Sequence, residues 1–234
     1  MAERLADRLG DVKRQFPLAL DLGAHTGLLA EHIVGKNGIE TLVQSDLSVN
    51  MIASASGLRV AADEEFLPFA ENSFDLVISA GSLHWVNDLP GTLIQVNRIL
   101  KADGLFLAML PGGETLKELR RAFEEAEMAA SGGISPRVSP FVDVREAGSL
   151  LQRAGFVLPA VDSETLTVSY AHPLKLLHDL RNMGEANAMA QSRKGFTSCS
   201  LMMLMADYYL REFSDSEGRI PATFELVTLT GWKS

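Results

Sequence analysis

Asp21-Leu22-Gly23-Ala24-His25-Thr26-Gly27 is the stretch of this sequence that decides the fold. An acidic residue ends an apolar run, two glycines make a turn, and a helical pattern begins directly afterwards. Glycine accepts backbone angles that other residues avoid and lets the backbone approach a ligand closely. The following helix presents free N–H groups at its N-terminus, which suit a polar or anionic ligand. The stretch therefore predicts a strand–turn–helix unit with a ligand site at the turn.

Short apolar runs alternate with helical patterns on either side of this turn. They predict five strands, at residues 18–22, 41–45, 58–62, 74–79 and 105–110. The predicted helices between them cover residues 27–35, 48–56 and a segment that starts at Asp88 and ends before Gly104. Nearly continuous apolar runs are typical of parallel strands covered on both faces. The first half therefore predicts an α/β fold with a Rossmann-like, doubly wound sheet.

The second half has a different pattern. It predicts helices at residues 114–130, 144–154, 173–185 and 200–213, and strands at 156–161, 165–170 and 222–232. Late strands separated by helices predict an antiparallel last strand. We expect one domain over residues 1–234, with a helical cap inserted at 172–218.

Composition narrows the function classes. The net charge of −9 disfavours non-specific binding to nucleic acid, whose phosphates would repel the protein. No apolar run approaches the ~20 residues of a membrane span, and the N-terminus has neither a signal-peptide nor a transit-peptide pattern. Cys199 is the single cysteine, so no intrachain disulfide can form. We expect a cytoplasmic protein, or a matrix protein if the source has mitochondria, without membrane insertion.

Three acidic residues follow or end predicted strands. Asp46 ends the second strand about 20 residues after the glycine turn, where a carboxylate can accept both hydroxyls of a ribose. Asp63 follows the third strand, where an adenine amino group could donate to it. Asp21 precedes Gly23 and could bind the turn or a ligand amine. Because open α/β sheets bind ligands at the carboxyl edge, a nucleoside site is expected there.

A nicotinamide dehydrogenase is one alternative, because Asp46 also suits that fingerprint. The turn from Gly23 to Gly27 is Gly-x-x-x-Gly, however, and not the Gly-x-Gly-x-x-Gly of dinucleotide folds. Only a nicotinamide dinucleotide bound at Asp46 would favour this alternative.

The pattern as a whole resembles the successive motifs of class I S-adenosylmethionine-dependent methyltransferases. The resemblance rests on Asp-x-Gly-x-x-x-Gly, Asp46, Asp63 and the run Leu67-Pro68-Phe69…Ser73-Phe74-Asp75. It implies S-adenosylmethionine as cofactor. By the same resemblance, the cofactor site comprises Asp21, Gly23, Gly27, Asp46, Leu47, Asp63, Glu64, Ser79 and Ala80.

The resemblance also implies a division of this site. Asp21, Gly23 and Gly27 would cradle the methionine part of the cofactor. Asp46 would bind the ribose, and Leu47 follows it in the same site.

The other end of the implied site lies after the third and fourth strands. Asp63 and Glu64 would lie near the adenine, while Ser79 and Ala80 would line the cleft toward the sulfonium. One position departs from the family, because His25 stands where a middle glycine is usual. Its side chain either crowds the ligand or points outward, and a positive φ there would strain the backbone.

Longer strings resemble a narrower group, the methyltransferase-like assembly factors of respiratory complex I and their bacterial relatives. Among them are Ala62-Asp63-Glu64-Glu65-Phe66-Leu67-Pro68-Phe69, Ser82-Leu83-His84-Trp85-Val86-Asn87-Asp88-Leu89-Pro90 and Asn182-Met183-Gly184-Glu185-Ala186-Asn187. This resemblance runs from about Phe16 to the C-terminus. It implies an enzyme that hydroxylates an arginine of a complex I subunit, and an acidic protein suits such a partner.

The loop after the fourth strand should face the reacting atoms in this fold. His84 is the candidate general base, and Trp85 is a candidate wall of the acceptor site. In the predicted cap, Arg181, Glu185 and Asn187 are candidates to bind the acceptor. No metal site is expected, because no set of histidines, cysteines and carboxylates has ligand spacing.

Three readings of the function stay open. The first is an enzyme that hydroxylates or methylates a protein side chain. The second is a methyltransferase for a small molecule or a carrier-bound acyl group. The third is a non-catalytic assembly chaperone for a respiratory subunit. Fold analogy alone cannot decide between them.

Overall fold

A computed structural model describes residues 1–188 and 197–234 of the chain. The helices are α1 (Ala2–Gly10), α2 (Leu28–Ile33), α3 (Val49–Ile52), α4 (Leu89–Ile99), α5 (Lys117–Ser131), α6 (Val144–Arg153), α7 (Pro173–Asn182) and α8 (Cys199–Phe213). The strands are β1 (Leu18–Leu22), β2 (Thr41–Asp46), β3 (Leu58–Ala61), β4 (Phe74–Ala80), β5 (Leu100–Pro111), β6 (Val157–Tyr170) and β7 (Ile220–Trp232). A short 3₁₀ turn covers Leu83–Trp85.

The strands form one seven-stranded sheet in the order β3-β2-β1-β4-β5-β7-β6. Strands β1 to β5 pair in parallel, and β7 runs antiparallel to β5. The predicted Rossmann-like fold with an antiparallel late strand is therefore confirmed. The strand order reverses between β1 and β4, and ligands bind at such a switch point in open α/β sheets.

Central strand β1 shows why the early strand predictions succeed. Ala19 and Leu20 are fully buried, as expected for a strand covered on both faces. Leu20 pairs with Val43 on one side and Val77 on the other. The start of α4 is also as predicted, because the Asp88 carboxylate accepts a hydrogen bond from the Gly91 N–H at 2.9 Å.

Strand β5 begins at Leu100, five residues earlier than the prediction that treated Gly104 as a boundary. Leu100 is buried and pairs with Phe74. The Asp103 N–H donates to the Lys233 carbonyl, and the Lys233 N–H donates to the Gly104 carbonyl. These partners from distant parts of the chain extend the strand through the glycine.

Two further boundaries differ from the prediction. Helix α5 begins at Lys117 and not at 114, because the Leu116 N–H donates to the Thr223 carbonyl and Leu116 takes a φ of 56°. Strand β6 is continuous over 157–170, where two strands were expected. Its polar middle carries ion pairs from Arg8 to Asp162 and from Arg4 to Glu164.

The chain divides into two compact units. The first comprises residues 1–112, 142–164 and 226–234, and the second comprises 113–141 and 165–225. The expected cap at 172–218 stays a prediction, and its residues 189–196 lie outside the described part. The core of the first unit includes Leu20, Phe106 and Val227.

The second unit has its own core, formed by α5, α7 and α8 around residues that include Tyr209. The run Met202, Met203 and Met205 lies on α8, where Met205 is fully buried and Met203 is exposed. Glu127 is also buried here, and its carboxylate accepts hydrogen bonds from the Ser135 hydroxyl at 2.9 Å and from Arg137 Nε at 2.7 Å. This cluster fixes the segment after α5 to the helix.

We expect Arg137→Met to lower the free energy of unfolding by about 3–5 kcal/mol, because it leaves the Glu127 carboxylate buried and unpaired. Urea denaturation measures this change. The control is Arg121→Met, at an exposed position of α5, the helix that carries Glu127. It should change stability by less than ~0.5 kcal/mol. Equal effects of the two substitutions would contradict a role for the buried pair.

Candidate active site

The glycine turn after β1 is shaped by its neighbours as well as by any ligand. Gly23 and Gly27 have φ angles of 72° and 87°, in the left-handed region. A Cβ on Gly23 would lie 2.0 Å from the Ser82 hydroxyl oxygen, and one on Gly27 would lie 2.7 Å from Gln44 Oε1. Side chains are therefore excluded at both positions by conformation and by packing. The predicted unusual backbone angles are therefore present at both glycines, while the close packing of Ser82 against Gly23 was not predicted.

Asp21 is fully buried at the end of β1. Neither carboxyl oxygen has a hydrogen-bond partner among the described residues. Burial, and after it the charge of Asp46, raise the pKa of Asp21 to about 7. A buried polar group without a partner is rare and points to a missing ligand. A positively charged group would satisfy this carboxyl best.

Asp46 ends β2 and ties the first two turns together. Its Oδ2 accepts the His25 N–H at 2.8 Å, and its Oδ1 accepts the Ser48 N–H at 2.8 Å. Each carboxylate oxygen keeps a further lone pair for another donor, such as a sugar hydroxyl. Leu47 follows with an exposed side chain. The structure thus brings Asp46, Leu47 and the glycine turn together.

The loop after β3 carries two predicted site residues, Asp63 and Glu64, which lie in different environments. The Asp63 carboxylate accepts the N–H of Glu65 at 2.8 Å and stays partly exposed. Glu64 is buried and accepts a hydrogen bond from the Ser82 hydroxyl at 2.7 Å. Its Oε1 lies 3.0 Å from the point that a Cβ on Gly23 would occupy. The Glu64 carboxylate therefore lies at the glycine turn.

Ser79 and Ala80 end β4, the strand beside β1. Because Asp21 pairs with Ile78, the next residues of β4 lie alongside the start of the glycine turn. The Ser79 hydroxyl is buried and has no partner among the described residues. Asp21 and Ser79 thus give the same edge of the sheet two unsatisfied polar groups.

His25 adopts a φ of 51°, so the strain that the sequence analysis made conditional on a positive φ is present. Its side chain is 49% exposed, and its Nδ1 lies 3.9 Å from Asp46 Oδ2. Half exposure favours the outward orientation over crowding of the turn.

His84 and Trp85 lie in the 3₁₀ turn after β4, held in place by the buried Leu83. The two rings are 5.2 Å apart, and Trp85 is 40% exposed. His84 is partly buried and takes part in side-chain interactions. The structure brings the predicted catalytic pair together on one loop.

Glu65 and Gln95 support this loop, and the sequence analysis missed both. Glu65 Oε1 accepts the Asp88 N–H at 2.7 Å, and the Gln95 side chain donates to the Glu65 carbonyl at 2.6 Å. Gln95 Oε1 also accepts the Leu67 N–H at 3.0 Å. The loops after β3 and β4 are therefore joined through Glu65, which stands in a quoted family string without an assigned role, and Gln95, which stands in none.

The three predicted acceptor residues belong to the second unit. Arg181 is exposed in the last turn of α7. The Glu185 N–H donates to the Leu180 carbonyl, and the Asn187 side chain donates to the Pro136 carbonyl at 2.9 Å. Their role toward an acceptor stays a prediction.

Two absences concern only the residues that the structure describes. Over 1–188 and 197–234, no group of three or more histidine, cysteine, aspartate or glutamate side chains could hold a metal ion. Within the same ranges, no helix combines the length and the apolar character that a membrane crossing requires.

The chain is similar to known methyltransferase domains in sequence and in fold. A family model described as a methyltransferase domain matches residues 20–108. The crystal structure of YcgJ from Bacillus subtilis is similar with a TM-score of 0.68 and 15% identity, over 98% of this chain and 97% of that one. These findings define the class of fold: the chain has the class I methyltransferase fold.

Relatives that match nearly the whole of this chain give the narrower family. Human arginine-hydroxylase NDUFAF5, a mitochondrial protein, is 43% identical over 238 residues, which cover 100% of this chain and 68% of the relative. Malonyl-[acyl-carrier protein] O-methyltransferase from Gallionella capsiferriformans is 32% identical, over 98% of this chain and 81% of that one. The chain belongs to the NDUFAF5 family, which confirms the resemblance.

S-adenosylmethionine is the cofactor that this cradle fits, in agreement with the methyltransferase family match. The unpartnered Asp21 carboxyl suits a cationic ligand, and Asp46 has lone pairs for ribose hydroxyls. Gly23 and Gly27 leave the backbone of the turn open to close approach.

We expect the free energy of unfolding of the ligand-free protein to fall as pH rises from about 4 to 7, because of Asp21. The folded carboxyl, with a pKa of about 7, holds its proton, whereas the unfolded one loses it near 3.8. Asp21→Asn should flatten this dependence and stabilise the protein at pH 8 by roughly 2–4 kcal/mol, at about 1.4 kcal/mol per pKa unit. Urea denaturation across this pH range measures both effects. Parallel pH profiles for the two proteins would refute this explanation.

We expect His25→Gly to raise the free energy of unfolding by about 1 kcal/mol, because glycine adopts the left-handed conformation without strain. The larger conformational entropy of glycine in the unfolded chain offsets part of this stabilisation. His25→Ala keeps the Cβ and should bring no such gain. Thermal denaturation compares the variants, and titration calorimetry with S-adenosylhomocysteine should show unchanged affinity. Tighter binding by the glycine variant would show instead that His25 crowds the ligand.

Proposed function

We propose that the chain is an S-adenosylmethionine-binding enzyme that hydroxylates an arginine side chain of a protein. The observation that carries the proposal is the 43% identity to human arginine-hydroxylase NDUFAF5 over the whole of this chain. Hydroxylation places one oxygen atom in a C–H bond, and it requires an oxidant such as molecular oxygen together with a source of electrons. The net charge of −9 suits a substrate segment that carries arginine.

The loop after β4 offers the chemistry that such a substrate needs. Trp85 is 40% exposed on the loop that follows the cradle, and an indole face attracts a guanidinium group through cation–π interaction. His84 adjoins it and can accept or donate a proton. In this proposal Trp85 positions the arginine, and His84 acts as general base. Arg181, Glu185 and Asn187, in the second unit, are also proposed as acceptor-binding residues.

The partner we propose is a subunit of respiratory complex I, as the family resemblance implies. The proposed location follows from that partner: bacterial cytoplasm, or the mitochondrial matrix in a eukaryote.

A carrier-bound acyl group is the second candidate substrate. It is supported by the 32% identity to malonyl-[acyl-carrier protein] O-methyltransferase over 98% of the chain. In that reaction the methyl group passes to a carboxylate oxygen, and a base is not required because the carboxylate is already ionised. A non-catalytic chaperone is the third candidate. Such a protein would bind its partner without modifying it chemically.

Mass spectrometry of the partner separates the three candidates. The full chain is used to capture partners from an extract of its source organism. The captured protein is digested and measured before and after incubation with S-adenosylmethionine in air, with ascorbate added as the source of the two electrons that reduce the second oxygen atom to water. We expect a gain of one oxygen atom on an arginine. A gain of one methylene group would favour methyl transfer, and an unmodified partner would favour the chaperone.

Two variants serve as controls in this measurement. Asp46→Ala removes the carboxylate that we assign to the ribose and should abolish the modification together with cofactor binding. Trp85→Ala should still bind cofactor yet lose about 2- to 30-fold in the rate of modification, the range expected for one cation–π contact. Full modification by Asp46→Ala would contradict the assigned cofactor site.

A further inference from the structure

The Glu64 carboxylate occupies an unusual position. Three loops meet around it: the glycine turn after β1, its own loop after β3, and the loop after β4 that carries Ser82. Glu64 is 8% exposed and accepts the Ser82 hydroxyl at 2.7 Å. Its Oε1 lies 3.0 Å from the point where a Cβ on Gly23 would stand. The carboxylate is therefore in direct contact with the turn that cradles the cofactor.

No cation of residues 1–188 and 197–234 forms an ion pair with this carboxylate. Among the ion pairs of the described residues, none includes Glu64. A neutral hydroxyl fills only one of the roughly four lone-pair positions of a carboxylate. A buried charge with so little compensation is strongly disfavoured unless a ligand supplies the opposite charge.

Asp21 adds an independent observation. It lies two residues before Gly23, is fully buried, and has no hydrogen-bond partner for either oxygen within the described part of the chain. Two buried carboxyl groups thus flank one glycine turn, and neither has a cation in the described structure. The arrangement indicates a ligand group that is positively charged and that donates several hydrogen bonds.

We propose that Glu64 is a specificity-determining residue that binds the α-ammonium group of the cofactor's methionine tail, with Ser82 as its positioning residue. The inference rests on the proposed use of S-adenosylmethionine. An ammonium group has three N–H donors and forms strong, charge-assisted hydrogen bonds with carboxylates. The sulfonium centre carries charge but no N–H donor, so it would leave the lone pairs of Glu64 and Asp21 unfilled. The ammonium group fits both.

Titration calorimetry with two related ligands tests this assignment. S-adenosylhomocysteine carries the amino-acid tail, whereas 5′-methylthioadenosine has the same adenosine and no tail. Glu64→Gln keeps the size of the side chain and an oxygen that can accept the Ser82 hydroxyl, but it removes the charge. We expect it to lower affinity for S-adenosylhomocysteine roughly 10-fold or more, the size of a charge-assisted hydrogen bond, and to leave methylthioadenosine binding unchanged.

Two further variants complete the design. Glu31→Gln removes an exposed carboxylate from α2, the helix that follows the glycine turn, and should leave binding of both ligands unchanged. Ser82→Ala frees the Glu64 carboxylate to move and should weaken only S-adenosylhomocysteine, by less than Glu64→Gln does. Thermal denaturation of each variant confirms folding. If Glu64→Gln does not fold, Ser82→Ala is the variant that tests the assignment.

Each outcome decides the inference. A selective loss of S-adenosylhomocysteine binding supports it. Equal losses with both ligands, or no loss with either, would overturn the assignment of Glu64 while the cofactor site stands. A wild-type protein that binds neither ligand would overturn the proposed function and this inference with it.

Discussion

The Asp46 carboxylate fixes the geometry on which the whole site depends. By accepting the N–H groups of His25 and Ser48, it joins the turn after β1 to the turn after β2. These two turns follow adjacent parallel strands, and the Gly23 and Ala24 N–H groups donate to the Ser45 carbonyl. The Asp46 side chain and these backbone bonds together set the spacing of the turns at the carboxyl edge of the sheet. The same carboxylate contributes to the raised pKa of Asp21, after burial. Asp46 therefore contributes to both the geometry and the electrostatics of the cradle.

Local patterns were sufficient for the central strands β1 and β4, which are short and mostly buried runs. They failed where distant partners decide the structure: Leu100 joins a strand because it pairs with Phe74, and Leu116 leaves the helix because its N–H reaches the Thr223 carbonyl. Propensity within a few residues cannot contain such information. The same reason explains why one continuous β6 replaced two expected strands.

The residues of the candidate site also fall into those that sequence patterns predict and those that only the structure shows. Asp21, Asp46 and the glycines carry motif signals, and the structure brings them together at one edge. Gln95 carries none. Ser82 and Glu65 stand in the longer family strings, but those strings do not show that the two side chains join loops that are far apart in sequence. The position of Glu64 could be found only from the three-dimensional structure. Nothing in its sequence spacing shows that its carboxylate reaches Gly23.

The raised pKa of Asp21 couples ligand uptake to proton exchange. Near neutral pH the buried carboxyl is protonated in about half of the ligand-free molecules. A cation bound beside it stabilises the ionised form, so uptake of the ligand expels a fraction of a proton into solvent. Mass action then makes the cradle hold its ligand more tightly in alkaline than in acidic surroundings. The affinity of the site for a cationic ligand should therefore increase as the surrounding pH rises.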